Sequence, residues 1–405
     1  MIRKPDVFKF GSYKILSDKK TIDFHYETSG LHFTEKIILP DGIPSSIEDK
    51  LVNNVLESLH LILGVTYFKM YCPKKIIIPY LLSRTQSDFW NTVYTKGLGE
   101  FFYKNRIDFR GLINFPYSDS PDNILPIQLR QLDKAKKDRT LVGIGGGKDS
   151  IVALELIKSQ KKPVTGLILE TGNSHIQREV AKTAGIKFLL VRRKLDDKIF
   201  ELKNIHHGHV PFSAIFAFIA LLVSVIYDFS SIITANEKGS NFGNLDYLGS
   251  EINHQWSKSE EFENLFRNYV RQFITPNINF FSILRPYSEM EIAKIFSSYK
   301  KYFPVFSSCN RNFKIKGNAG QKKWCGKCAK CAFVFIILAS QLPKEQVISI
   351  FKKNMFEDES LTPLFKDLIG EGSLKPFDCV GTFEESRQAL EIIKNKKEFD
   401  VSKII

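Results

Sequence analysis

The first hundred residues pass from a strand-like to a helix-like spacing of apolar positions. Over residues 6–40 apolar and polar residues alternate, and glycines interrupt the alternation, which is typical of antiparallel strands. Over 47–63 apolar residues instead recur every three or four positions, and 83–94 repeat that spacing, which predicts two helices. We therefore predict an α+β domain over residues 1–135 that ends in a polar, turn-rich segment.

Residues 139 to about 300 alternate between strand-like and helix-like runs. Short β-prone runs near residues 140, 164, 186 and 232 are separated by stretches with helical spacing. This order is typical of βαβ units and a parallel sheet, in which ligands lie beyond the carboxyl ends of the strands. We predict an α/β domain over 136–300 and a helical, cysteine-containing region over 301–405. Four segments follow strands and are expected along one edge of the sheet: Gly145–Ser150, Glu170–Asn173, Arg192–Arg193 and Asn236–Ser240.

The stretch from Val210 to Tyr227 is uncharged and about as long as a membrane span. Pro211 and Ser213 instead indicate the start of a helix, and a second strand-like run follows at Ser231–Ala235. A helix buried against a parallel sheet explains both features, so we predict no membrane span. The N-terminus has no apolar signal core, and we expect a cytoplasmic protein.

The 405-residue chain carries a formal net charge of +14. Such an excess suits an anionic partner, either nucleic acid or a phosphate-rich metabolite. The basic residues are scattered along the chain, however, so we expect a small-molecule ligand and no nucleic acid. With 43% hydrophobic and 25% charged residues, the composition is that of a globular protein and excludes general disorder.

A glycine-rich loop lies between the strand-like run Thr140–Ile144 and the helix-like run Ile151–Ile157. Its residues are Gly145, Gly146, Gly147, Lys148, Asp149 and Ser150. Consecutive glycines allow the backbone to point successive N–H groups into one concavity. A concavity of this kind at a helix N-terminus, where the dipole is positive, binds phosphate or pyrophosphate. We therefore predict a phosphate site here, the alternative being a glycine-rich turn without a ligand.

This loop differs from the Walker A motif at two positions. Val142 stands where that motif needs its first glycine, and Asp149 follows Lys148 where Ser or Thr is required. The loop resembles instead the Ser-Gly-Gly-x-Asp-Ser loop of the PP-loop ATP pyrophosphatases, which cut ATP between the α and β phosphates and transfer AMP to a substrate oxygen. The departure from that loop is Gly145, which replaces the first serine and removes one hydroxyl donor to phosphate.

Four of the six cysteines lie in one short region. They are Cys309, Cys325, Cys328 and Cys331. Closely spaced thiolates suit tetrahedral Zn²⁺, and disulfides are disfavoured in a cytoplasmic chain. Iron–sulfur clusters use the same spacing and are the main metal alternative, and a cluster of thiols without metal is the other alternative. A four-cysteine zinc site has no open position, so we predict a structural role for it, with Lys327 and Lys330 offsetting the negative charge.

The glycine loop and the cysteine cluster together resemble the deazaguanine nitrile synthases of queuosine biosynthesis, over about residues 139–335. A second resemblance extends along the chain, to the ATP-dependent UDP-N-acetylmuramoyl-L-alanyl-L-glutamate epimerases of bacterial peptidoglycan synthesis. Its matching segments are Leu63–Lys69, Lys96–Asn105, Gly145–Ser150, Gly208–Pro211, Ala235–Glu237, Trp324–Cys328 and Lys375–Thr382. Because these segments are spread over the whole chain, the second match is the more specific. It implies a parallel-sheet, HUP-like PP-loop core.

This resemblance implies that the chain inverts the terminal L-glutamate of a nucleotide-dipeptide to D-glutamate while ATP becomes AMP and pyrophosphate. A carboxylate resists loss of its α-proton because the resulting carbanion would lie beside a full negative charge. Conversion to an acyl-adenylate removes that charge and makes the α-carbon more acidic. The implied cofactors are ATP, Mg²⁺ and a structural Zn²⁺.

The resemblance also implies roles for the loop and for the residues after two strands. The glycine N–H groups would hold the leaving pyrophosphate, with Lys148 and Ser150 adding a charge and a hydroxyl, and Asp149 would hold Mg²⁺. The residues expected around adenosine, substrate or metal are Glu170, Thr171, Asn173, Asn236 and Glu237.

For the proton transfer the sequence offers two candidates and does not decide between them. His209 belongs to a group of three histidines with His206 and His207, and an imidazole is a natural base near neutral pH. Cys379, which follows Asp378, would supply a thiolate instead. RNA or nucleobase modification and non-catalytic nucleotide binding are the alternative functions.

Overall fold

A computed structural model describes residues 6–119, 138–313, 323–372, 375–402 and 404. These residues form a mixed α/β structure with a large, mostly parallel sheet, which confirms the predicted α/β class. The PP-loop assignment of its core stays a prediction. Most of the polar segment predicted to end the first domain lies within residues 120–137, outside the described residues.

Eleven strands occur in the described part of the chain. They are β1 Val7–Ile15, β2 Thr21–Thr28, β3 Leu31–Ile38, β4 Lys75–Ile77, β5 Thr140–Gly143, β6 Val164–Glu170, β7 Phe188–Lys194, β8 Ser231–Thr234, β9 Leu245–Tyr247, β10 Ser250–Ile252 and β11 Asn279–Ser282. Nine of them form one sheet in the order β11-β8-β5-β6-β7-β3-β2-β1-β4, and β9 and β10 form a hairpin. The predicted antiparallel strands near the N-terminus are β1 to β3, which pair in sequence.

Between residues 139 and 300 the α-helices alternate with strands as predicted, and the described residues after 300 are helical or irregular. The α-helices of the described residues are α1 Asp49–Leu63, α2 Val65–Phe68, α3 Arg84–Gly97, α4 Gly99–Lys104, α5 Lys148–Ser159, α6 His175–Ala184, α7 Lys198–Glu201, α8 Phe212–Tyr227, α9 Glu260–Phe273, α10 Glu289–Ser297, α11 Ala329–Gln341, α12 Lys344–Phe351, α13 Thr362–Ile369 and α14 Phe383–Lys396. The helices predicted over 47–63 and 83–94 correspond to α1 and α3. In α3 the start is fixed by a capping box between Ser83 and Gln86.

The chain divides into two compact units. Unit 1 comprises Met1–Leu141, Leu189–Ile232 and Leu245–Phe281. Its core is aromatic: the rings of Tyr26 and Tyr67 stack with their centroids 4.7 Å apart, and α8, which packs on α1, is buried around nearly its whole circumference. An apolar helix enclosed by protein in this way explains the uncharged stretch in the sequence.

Unit 2 comprises Val142–Phe188, Ile233–Asn244 and Ser282–Ile405. Helix α5 packs on α10, α10 on α11, and α11 on α14. Nearly every residue of α11 is buried, so this helix forms the centre of the unit. The glycine loop and the cysteine cluster both belong to this unit.

One helical stretch of the described residues, Lys50–Phe68, is long and apolar enough to cross a membrane by length and composition alone. Its apolar window is 78% buried within the protein, as is usual for a core helix. The run that raised the question in the sequence forms α8, which is shorter.

Candidate functional site

The glycine loop connects strand β5 to helix α5, as the sequence predicts. Gly146 has φ +89°, and a Cβ at this position would lie 2.8 Å from Cγ2 of Ile176, so that only glycine fits without strain. The Ser150 hydroxyl accepts a hydrogen bond from the Gly146 N–H at 3.1 Å and donates one to the Gly147 carbonyl at 2.9 Å. The hydroxyl thus holds the loop in a tight turn at the start of the helix.

Lys148, the first residue of α5, is almost fully buried at 1% exposure. Its ammonium group forms ion pairs with the carboxylates of Asp149 and Glu289. Burial opposes the charge of Lys148, but the two carboxylates outweigh burial and raise its pKa above the usual value. Burial also raises the pKa of Glu289, to about 7, against the attraction of Lys148. The loop therefore ends at an ammonium group whose charged form two carboxylates stabilise, next to the place where the sequence predicts phosphate.

Glu289 is a residue that the sequence did not single out. It begins α10, and its backbone N–H donates a hydrogen bond of 2.7 Å to Oε1 of Glu385. The other oxygen of Glu385 accepts from the Thr382 N–H at 2.8 Å, within the capping box that starts α14. Glu289 and Glu385 lie 141 and 237 positions after Lys148 in the sequence. These hydrogen bonds connect both residues to the glycine loop.

The predicted site residues at the ends of strands β6 and β8 form hydrogen bonds with other protein groups. Glu170 accepts from Arg178 at 3.0 Å, and Asn173 accepts from the His175 N–H at 2.8 Å. Thr171 is half-buried. The Asn236 N–H donates to Ser282 Oγ at 2.7 Å. These bonds shape the ends of the strands, and the predicted contacts with adenosine stay predictions.

Glu237 follows Asn236 and is buried, with 4% exposure. Its backbone carbonyl accepts a hydrogen bond of 3.1 Å from Arg285. Its negative charge is one of the influences that raise the pKa of Glu289, after burial and Asp149. Glu237 therefore adds a carboxylate to the charged surroundings of Glu289 and Lys148.

The four clustered cysteines converge in unit 2. Their sulfur atoms lie within 4.8 Å of one another, and none of these cysteines is in a disulfide. The Cys331 sulfur lies 3.7 Å from that of Cys325 and 3.5 Å from that of Cys328. Sulfur ligands about 2.3 Å from a tetrahedral zinc ion stand at roughly this separation. The donor set and its spacing therefore fit the predicted metal.

A second polar cluster lies in unit 1. It consists of Glu100 from α4, His209 just before α8 and His254 just after β10, and we call it the Glu100 cluster. One donor atom from each of the three side chains lies within 4.8 Å of the others. Nδ1 of His209 is 3.3 Å from Oε2 of Glu100, and Nδ1 of His254 is in close contact with the same oxygen.

Electrostatics in the Glu100 cluster favour an ionised carboxylate and a neutral imidazole. Burial opposes ionisation of Glu100, but hydrogen bonding and charge from His254, with further help from His209 and Lys104, lower its pKa to about 2. Burial and the neighbouring His254 lower the pKa of His209 to about 3. The His209 ring therefore carries an available lone pair at neutral pH.

Family models and known proteins similar to this chain agree with the resemblance in the sequence. The model of the MurL N-terminal domain matches residues 2–283, and that of the MurL C-terminal domain matches residues 305–405. The chain belongs to the MurL family.

Curated relatives in the MurL family carry one common name. The UDP-N-acetyl-alpha-D-muramoyl-L-alanyl-L-glutamate epimerase of Micromonospora is 33% identical over 406 residues, which cover 98% of this chain and 89% of the relative. The enzyme of the same name from Xanthomonas oryzae is 34% identical over 93% of this chain and 83% of the relative. That from Salinispora tropica is 34% identical over 97% and 86%.

Within this MurL-family chain, the three histidines of the sequence group do not form one cluster. Nδ1 of His206 is 3.3 Å from the Asn105 side-chain oxygen, and the His207 side chain is exposed. His209 instead joins Glu100 and His254, which sequence reasoning missed because positions 100, 209 and 254 share no motif. The only hint was the placement of Glu100 and His209 in two of the segments matched to the family.

Cys379 lies in the loop that precedes α14, in unit 2. Its side chain is half-buried, and its backbone carbonyl accepts a hydrogen bond from the Lys330 ammonium. The neighbouring Asp378 carboxylate accepts from the Asn310 side chain. The loop is thus anchored to the start of α11 and to the region of the cysteine cluster, while the role of the Cys379 thiol stays a prediction.

Proposed function

We propose that this protein epimerises the terminal L-glutamate of UDP-N-acetylmuramoyl-L-alanyl-L-glutamate to D-glutamate, with ATP converted to AMP and pyrophosphate, in the synthesis of peptidoglycan precursors. Membership of the MurL family and the shared name of three relatives along nearly the whole chain support the substrate and the isomerisation. The observation that carries the use of ATP is the tight glycine loop, which leads into the buried Lys148 and its ion pairs with Asp149 and Glu289.

The first step of the proposed reaction activates the glutamate carboxylate. One carboxylate oxygen attacks the α-phosphorus of ATP, the bond from that phosphorus to the bridging oxygen breaks, and pyrophosphate leaves with the electron pair. Lys148 and the N–H groups of Gly145, Gly146 and Gly147 would stabilise the charge on the leaving group. Gly146 matters here because a side chain would fill the turn that brings these groups together.

Carboxylates near the loop suit the magnesium ion that would accompany ATP. Asp149 is the residue we assign to it, and Glu289 and Glu237 are further oxygen donors in the same surroundings. Oxygen ligands are those that Mg²⁺ prefers, and the ion would neutralise charge on the phosphates. Lys148 would then exchange part of its ion pairing with these carboxylates for contact with phosphate.

The second step inverts the α-carbon of the mixed anhydride. A base removes the α-proton, an acid returns a proton to the opposite face, and water then releases the free carboxylate and AMP. Cys379 and His209 are the candidates for these proton transfers.

Substitution Cys379→Ala tests the first of these candidates. If Cys379 transfers the proton, exchange of the α-proton with deuterated solvent stops while AMP formation continues. Unchanged exchange removes Cys379.

The cysteine cluster is proposed to hold a structural zinc ion through Cys309, Cys325, Cys328 and Cys331. Zinc would cross-link the segment before α11 to the start of that buried helix, because Cys328 and Cys331 flank the first residues of α11.

Substitution Cys331→Ser tests this role and should remove about one equivalent of zinc and lower the melting temperature. Cys379→Ser is the matched control and should retain the metal. Iron and inorganic sulfide in the purified protein would instead identify an iron–sulfur cluster.

One experiment tests the proposed function as a whole. The full chain is incubated with ATP, Mg²⁺ and UDP-N-acetylmuramoyl-L-alanyl-L-glutamate, and the chirality of the glutamate is determined after hydrolysis together with AMP and pyrophosphate. We expect D-glutamate to appear only when ATP is present. Glutamate that stays entirely L, from a folded protein that binds ATP, would contradict the proposal.

A further inference from the structure

The Glu100 cluster joins three segments that are far apart in sequence. Its side chains are largely buried, with 6% of Glu100, 15% of His254 and 19% of His209 exposed. Both imidazoles present Nδ1 to the same carboxylate oxygen. Three donors from independent segments that converge on one point are the arrangement expected of ligands around an ion.

The chemistry of the donors narrows the kind of ion. Two imidazole nitrogens and one carboxylate oxygen are the three protein ligands found in zinc enzymes that keep a fourth position for water or substrate. Mg²⁺ and Ca²⁺ prefer oxygen ligands, whereas imidazole ligands suit divalent transition-metal ions. The set thus differs from the four-thiolate cluster in unit 2, which leaves no open position.

Neighbouring groups orient the donors and add positive charge. The Lys104 ammonium pairs with the other oxygen of Glu100, and the Lys69 ammonium donates to the carbonyl of Gly208, next to His209. Contacts of this kind fix the direction of a ligand. A divalent ion with one carboxylate ligand keeps a net positive charge, and the two ammonium groups increase it. The remaining coordination position therefore favours an anionic ligand over a neutral one.

We propose that Glu100, His209 and His254 bind a divalent transition-metal ion whose remaining coordination position takes an oxyanion, such as a carboxylate or phosphate group. The site is separate from the cysteine cluster and does not depend on the proposed reaction. Its ion would be bound through Nδ1 of both imidazoles and one oxygen of Glu100.

The test is a metal count on the full chain after removal of metal and reconstitution with Zn²⁺. Wild-type protein should bind one equivalent more than the His254→Ala and Glu100→Gln variants. His207→Ala, which replaces an exposed neighbour outside the cluster, should bind as much as the wild type. Equal zinc content in the wild type and in the His254→Ala variant would overturn the proposal and leave a carboxylate hydrogen-bonded to two imidazoles.

A second measurement uses the wild type alone, in case the variants do not fold. Reconstitution with Co²⁺ should give visible bands from a nitrogen–oxygen site in addition to any sulfur-to-metal charge-transfer bands from the cysteines. Addition of inorganic phosphate, and separately of glutarate, should change the former bands and leave the latter unchanged. A cobalt spectrum that comes only from thiolate ligands would overturn the proposal, whatever the outcome of the epimerase assay.

Discussion

The two units carry polar clusters of similar burial that are encoded in opposite ways. In unit 2 the glycine loop is a run of six residues, and three of the four clustered cysteines lie within seven positions. In unit 1 the Glu100 cluster is assembled from residues 100, 209 and 254. Contiguous residues reveal their chemistry as a motif, whereas a cluster made by the tertiary fold leaves no local pattern.

A second comparison concerns two buried ion pairs among the described residues, both of which join positions far apart in sequence. In unit 2 Lys148 pairs with Glu289 beside the glycine loop. In unit 1 Arg193 pairs with Glu35 at 2.6 Å and also donates to Thr66 Oγ1 at 2.8 Å. Both Nε and Nη2 of Arg193 donate to buried side chains of unit 1, so we assign this pair a structural role. Burial alone therefore does not distinguish an ion pair in a functional site from a structural ion pair. The groups that surround each pair do.

The largest expected effect is a difference between the two ion pairs in how much each stabilises the fold. Substitution Glu35→Ala leaves the buried Arg193 guanidinium without its carboxylate, which should lower the free energy of unfolding by about 3–5 kcal/mol. Glu289→Ala should cost less, because Lys148 keeps Asp149 as a partner. Urea denaturation of the two variants and the wild type measures the difference.

Equal losses of stability in the Glu35→Ala and Glu289→Ala variants would contradict the distinction between a structural ion pair in unit 1 and a functional one in unit 2. A Glu35→Gln variant refines the comparison, because it keeps the shape and one acceptor oxygen for Arg193 while it removes the charge. We expect it to recover part of the loss.

The next effect concerns catalysis in unit 2. Substitution Lys148→Ala removes the cation that would stabilise leaving pyrophosphate, and we expect substrate-dependent pyrophosphate release to fall about 100- to 1000-fold. Release of pyrophosphate in a coupled assay measures it. Lys187→Ala, which removes an exposed lysine of the same unit, is the control and should match the wild type. A Lys148→Ala variant with wild-type release would remove the loop from the ATP step.

Sequence reasoning succeeded where spacing itself carries the information. The glycine loop was placed correctly between a strand and a helix because β-prone residues, three glycines and a helical apolar run follow one another directly. The uncharged run before Tyr227 was correctly read as a buried helix, α8, because a strand-like run follows it too soon for a membrane span.

Partners fixed only by long-range packing could not be predicted. Glu289 resembles any acidic residue in the first turn of a helix, and only the packing of α10 on α5 brings it to Lys148. Arg193 was expected at the ligand edge of the sheet, but its strand continues to Lys194 and its side chain turns to Glu35 instead. The alternation of strand residues could not reveal that partner, which lies 158 positions away.

The smallest effect examines the one position at which the glycine loop departs from the PP-loop pattern. Gly145 has no left-handed backbone angle, and a Cβ there would meet only Ser150, at an ordinary 3.9 Å. Gly145→Ser should therefore fold normally and supply the missing hydroxyl, lowering KM for ATP by about fivefold, or about 1 kcal/mol. Gly146→Ser is the matched control, because its φ of +89° and the nearby Ile176 side chain make any side chain strained, and it should lose most activity. An unchanged KM in Gly145→Ser would mean that phosphate does not lie within reach of residue 145, and the loop would then bind ATP differently from the family whose pattern it resembles.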